Sequence, residues 1–161
     1  MKPGRKIVLT LLVVIVAIQF IQPAKNNNDD HMQADLISHL KVPEKVATVL
    51  QTACYDCHSN NTRYPWYAAV QPMGWFLAKH IKEGKEALNF SGFGNFSTRR
   101  QQSKIKAMYN SVKDGSMPLA SYVLLHPDAK LTGETRALLM DWASKTAADL
   151  SIKKQAVSSS Q

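Results

Sequence analysis

Hydrophobic positions fall into two regimes along this chain of 161 residues. The first is continuous: Ile7 to Ile21 is an apolar run of 15 residues, preceded by Lys2, Arg5 and Lys6. As a helix it would measure about 22 Å, which is short for a membrane span. A basic start followed by such a run reads as an export signal or signal anchor, with the basic end kept inside. The small-x-small pattern of a cleavage site is poor, because Gln22 stands two before Ala24 and Ile15 two before Ala17. The favoured reading is an uncleaved membrane helix over residues 1–22; the alternative is a cleaved signal peptide.

The second regime is periodic. Residues 23–34 are polar and turn-rich, with Asn26-Asn27-Asn28-Asp29-Asp30, and read as a linker. Beyond them apolar positions recur at helical spacing. Pro43 suits the first position of a helix, with Glu44 in the first turn and Val46, Val49 and Leu50 as its stripe. This helix is expected to run on into Cys54 and to end at Asn60-Asn61. A second is expected over about Pro72 to Leu88, with Trp75, Phe76, Ala78 and Leu88 near one side, followed by a loop over 89–96. A third takes Ser97 as N-cap, carries Ile105, Met108, Tyr109 and Val112, and closes near Gly115. Ser116-Met117-Pro118-Leu119 breaks the pattern before a short helical turn from Ala120 to Leu125. The last helix takes Thr132 as N-cap, has Glu134 in its first turn, and faces Leu138, Leu139 and Trp142 inward. Residues 35–150 thus form one all-α domain, and the tail 151–161 is expected to fray.

Both cysteines lie in one pentapeptide, Cys54-Tyr55-Asp56-Cys57-His58. That is the C-x-x-C-H spacing of covalent c-type haem attachment. Two thiols three residues apart on a helical turn reach the two vinyl groups of one haem edge. The following imidazole then lies under the ring, where it binds the iron as proximal ligand. Three other readings compete. A thiol–disulfide redox pair normally sits beside a βαβ pattern, and none is apparent. A zinc site needs more ligands, and His31, His39, His80 and His126 form no ligand-spaced set. A small structural disulfide with an incidental histidine is the third.

Charge adds little. The formal net charge is +8, and the chain beyond the apolar run carries +5, from 17 basic and 12 acidic residues. Such a surface attracts acidic partners or a membrane, or is simply solvated. No basic run with interleaved aromatics suggests a nucleic-acid site.

The ligand on the far side of the iron decides the chemistry. A Met or His there makes an electron carrier, whereas an open position allows gas or peroxide chemistry. The candidates are Met73, His80, Met108, Met117 and His126. Met117 is preferred: it lies between two helices, Pro118 fixes the chain just after it, and it stands 59 positions beyond His58. The bland role for it is filling a core gap. Arg63 is a candidate partner for a haem propionate, and Trp66 and Tyr67 are candidates to line the pocket or donate a hydrogen bond. Ordinary core packing is an equal reading for both aromatics.

The order of these landmarks carries a resemblance. Cys54 to Asn60, Thr62-Arg63-Tyr64-Pro65-Trp66-Tyr67, Leu88-Asn89-Phe90-Ser91, Met117-Pro118 and Tyr122-Val123-Leu124-Leu125-His126-Pro127 together resemble the small haem-binding domain family of bacterial exported proteins. The similarity covers most of residues 35–148. It implies one covalent haem c at Cys54, Cys57 and His58, and a divergent cytochrome c-like helical fold around it. The expectation is a monohaem electron carrier, not an enzyme, at the bacterial inner membrane and facing the periplasm. Its expected partners are haem-maturation machinery and a redox partner protein. The alternative is a haem sensor or peroxidase-like protein with an open iron site, and a soluble periplasmic form if the signal is cleaved. A long insertion between the motif and Met117 departs from ordinary cytochrome c.

Overall fold

The computed structural model describes residues 3–28 and 34–158, the side chains of 154–158 excepted. His31, Asp29 and Asp30 lie outside the described residues. The helices are α1 (Pro3–Ile18), α2 (Leu36–Leu40), α3 (Glu44–Ala53), α4 (Tyr55–His58), α5 (Met73–Ala87), α6 (Thr98–Asp114), α7 (Ala120–Leu125) and α8 (Gly133–Ser158). Short 3₁₀ turns occupy Trp66–Ala69, Phe93–Asn95 and Pro127–Ala129. Among the described residues the only β-type pairing is an isolated bridge between Asn27 and Asn61.

The core grows from the pairing of α6 with α8. On α8 the buried positions Leu139, Ala143, Ala147 and Leu150 recur every three or four residues. The two alanines keep that stripe low, so α6 approaches closely and seats Ile105 and Val112 against it. Val46 and Leu50 of α3 close the core from the side. The segment expected as a plain loop over 89–96 supplies two of its largest members, Phe90 and Phe93. Helix α2, which has too few residues to show a period, is started by the Asp35 carboxylate accepting from the Ile37 N–H at 2.9 Å. It buries Leu36 completely.

Several boundaries differ from expectation. The helix from Pro43 does not run through the motif. The backbone leaves helical geometry at Cys54 (φ −130°, ψ −40°), and α4 is a separate single turn. The break lets Tyr55 donate to Asp35 Oδ1 at 2.8 Å and lay its ring against Phe90, 4.9 Å between centroids. At the other end α8 continues through Ser158 rather than fraying at 151.

The N-terminal expectation also changes. Helix α1 has 16 residues, about 24 Å, against roughly 30 Å of bilayer hydrocarbon. No helix among the described residues is long and apolar enough to cross a membrane. Its side chains are nonetheless apolar and exposed from Ile7 to Val16, apart from Thr10. Nor do the described residues that follow it, up to Asn28, hang free of the domain. Gln19 and Gln71 exchange bonds, Gln71 N–H to Gln19 Oε1 at 2.9 Å and Gln19 Nε2 to the Gln71 carbonyl at 3.2 Å. Gln22 Nε2 donates to the Ala69 carbonyl at 3.1 Å, and Trp75 Nε1 to the Ile21 carbonyl at 2.8 Å. Asn28 N–H donates to the Asn60 carbonyl and Thr62 N–H to that of Asn26. Amide side chains and backbone satisfy one another there, so residues 19–28 lie docked on the domain.

Candidate functional site

Helix α4 presents the pentapeptide to a cleft of about 360 Å³ between α4, α5 and the chain around Met117. One wall holds Cys54, Asp56, Cys57 and His58; another holds His80, Glu83, Gly84 and Ala87 of α5; Met117, Pro118, Leu119 and Tyr122 close it. The volume lies in the range of cofactor pockets. A larger cavity, about 690 Å³, lies behind Asp56 among Asp35, Gln51, Tyr55 and Arg63, but it touches neither cysteine nor His58. The smaller cleft is the candidate site because it collects the two thiols, the imidazole and the Met117 thioether.

Gly84 makes the cleft possible. A Cβ there would lie 2.7 Å from the Cys57 carbonyl oxygen and 3.3 Å from Cys57 Cβ. Only a residue without a side chain lets α5 come that close to the motif.

His58 is oriented from behind. Its Nδ1 lies 2.9 Å from the Leu88 carbonyl oxygen. A carbonyl only accepts, so Nδ1 carries the proton and the Nε2 lone pair is left for a metal. Burial pushes the imidazole pKa below its usual value, with the Leu88 and Gly84 carbonyls opposing, and so favours the neutral, ligating form. Phe90 packs on the same ring at 5.7 Å.

The thiols are of the quiet kind. Burial pushes Cys54 up to about 12 and Cys57 up to about 11, with Cys57 and Asp56 respectively adding to the rise. Thiol–disulfide enzymes need the opposite shift. The two cysteines are not bridged to each other. Among the described residues no group of three or more His, Cys, Asp or Glu is arranged to hold a bare metal ion. Two protonated thiols, one free imidazole nitrogen and a thioether on a shared cleft are the donor set that suits a haem.

The other expected residues divide. Met117 and His80 line the cleft. Met73 lines an adjoining cavity of about 60 Å³ with Tyr67, Phe76 and Leu125. Met108 packs against the core. His126 is occupied, its Nε2 2.8 Å from the Tyr67 hydroxyl and its ring stacked on Tyr122 at 4.3 Å. Trp66 is outside the cleft and 83% exposed, because it starts a 3₁₀ turn on the surface. Arg63 is outside it too: its guanidinium is turned to Asp56, Nε to Oδ1 at 3.2 Å and Nη2 to Oδ2 at 3.3 Å.

Sequence reasoning missed Asp56, Tyr122, Gly84 and the Leu88 carbonyl. Asp56 fills a variable slot of the motif, yet it is buried and accepts from Arg63 and, at 2.7 Å, from the Tyr122 hydroxyl. That bond ties α7, and with it the neighbouring Met117, to the motif.

No curated protein and no solved structure matches the chain significantly. A model of the haem-binding domain family matches residues 13–145, which is most of the chain and every residue of the cleft, and the protein therefore belongs to that family.

Proposed function

We propose that this protein holds one haem of the c type through covalent bonds to Cys54 and Cys57 and passes electrons at a membrane. The observation that carries the reading is the convergence of Cys54, Cys57, His58 and Met117 on one cleft from sites 59 positions apart. Each thiol adds across a vinyl group: a sulfur–carbon bond forms, the thiol proton goes to the other vinyl carbon, and no oxidant is needed. His58, through Nε2, and Met117, through its sulfur, are the residues on this cleft that would hold the iron. The bound haem supplies a one-electron ferric/ferrous couple, and a methionine ligand with apolar packing raises its potential. Arg63 is engaged by Asp56, so its part is to hold the motif rather than to pair with a propionate. The N-terminal segment keeps the domain at the bacterial inner membrane, facing the periplasm, where maturation machinery attaches the haem and a redox partner protein exchanges electrons with it.

His80 lies on the same cleft and supports a second reading, with histidine in place of Met117, or with an open iron site in a sensor or peroxidase-like protein. Expression of the full chain with haem-maturation machinery separates these. The expected result is haem that survives denaturing electrophoresis and is lost in Cys54→Ala/Cys57→Ala. The oxidised protein shows a methionine–iron charge-transfer band that disappears in Met117→Ala and persists in His80→Ala. A high-spin spectrum with rapid carbon monoxide binding by the wild type would sink the electron-carrier reading.

A further inference from the structure

Large apolar side chains are exposed in few places among the described residues. Beyond the α1 segment and Ile152, they are Trp66, Val70, Met73, Trp75, Phe76, Leu124 and Leu125. These belong to two stretches that meet. The Tyr67 hydroxyl bonds His126 Nε2, and Met73, Phe76 and Leu125 line one small cavity with Cys57 and His80. Trp66 is 83% exposed and Leu124 81%. A patch of this kind marks an interaction surface.

We propose that this aromatic shelf rests on a lipid bilayer and holds the mouth of the cleft at the membrane surface. The inference rests on the reading that α1 enters the membrane. Three observations favour lipid over a protein partner. The shelf is lashed to the exit of α1: Gln19, Gln22 and Ile21 bond Gln71, Ala69 and Trp75, so the apolar helix and the apolar shelf form one continuous surface. Entering a bilayer, α1 would be about 6 Å shorter than the hydrocarbon, and so short a segment would draw its flanking residues into the interface. Among what flanks it are Trp66 and Trp75, and tryptophan partitions to the headgroup level. Lys25, Lys82 and Lys85 line one cavity, with Glu86 as its single carboxylate, a net positive site for anionic headgroups.

The test uses the full haem-loaded chain in phosphatidylcholine–phosphatidylglycerol vesicles, with and without brominated acyl chains, which quench tryptophan on contact. The ratio of emission in the two vesicle types removes quenching by the haem itself. Trp66→Phe alters an exposed side chain and should leave the fold intact. The wild type is expected to lose a clear share of its emission to brominated lipid, and Trp66→Phe markedly less. Leu124→Ser is expected to reduce the loss as well, by lifting the shelf. Equal ratios in wild type and Trp66→Phe, in protein that still floats with the vesicles, overturn the shelf proposal and leave anchoring intact; the patch then faces water or another protein. A chain that fails to float overturns the anchoring reading and the shelf with it.

Discussion

The His58 imidazole is held by a backbone carbonyl, and this explains why part of the site is invisible in sequence. The pentapeptide is legible because chemistry demands particular side chains at a particular spacing. The Leu88 carbonyl that sets the tautomer leaves no such mark, since any residue supplies a carbonyl. Asp56 is hidden for another reason: the motif permits any residue there, and only the fold reveals that its oxygens bind Arg63 and Tyr122. The cysteines make a prediction at this scale. With pKa values raised to about 12 and about 11, little thiolate exists near neutrality in the haem-free chain. Higher intrinsic nucleophilicity recovers part of the loss, which leaves alkylation by iodoacetamide at pH 8 about 50-fold slower than for an unhindered cysteine. Because a raised pKa moves the thiolate population upward in pH, the rate should still climb well above pH 9. Urea should abolish the difference.

Elements were legible where caps and periods are strong. Gly115 ends α6 with φ +77°, as a glycine after a helix should, and the stripe of α8 follows its hydrophobic spacing. Five-residue α2 lacks a period, and the break at Cys54 depends on where Tyr55 finds its partners. The approach of α5 to α4 likewise depends on one glycine whose neighbour is 27 positions away. Gly84→Ala should force the two helices apart and lower unfolding stability by about 1–3 kcal/mol in a denaturant titration, with a smaller fraction of chains retaining haem. Tyr122→Phe removes the hydroxyl that donates to Asp56 and should cost about 1.5 kcal/mol. Its more telling effect is on Met117. With α7 released, added imidazole should displace the methionine at lower concentration than in the wild type, read from the charge-transfer band.

At the scale of the whole molecule, core and site are one structure. Phe90 is 1% exposed, its carbonyl accepts from Leu36 N–H at 3.0 Å, its N–H donates to the His58 carbonyl at 2.7 Å, and its ring touches both Tyr55 and His58. Phe90→Ala should therefore destabilise the fold by about 3–5 kcal/mol and also loosen the imidazole, seen as reduced haem retention after mild denaturation. The all-helical class was readable from periodicity, whereas the docking of residues 19–28 was not. It depends on amide groups some 50 positions apart whose pairing no local pattern announces. Under the proposed electron-carrier function, that docking bears on how the domain meets its partners. A domain on a slack tether explores a hemisphere and collides in three dimensions; one whose tether is stitched along its own flank keeps a fixed height and bearing. At a membrane, as the proposed function places it, its encounters would become a search within a plane. Electron flow through it would then scale with surface density and lateral diffusion, and hardly at all with the length of chain between helix and domain.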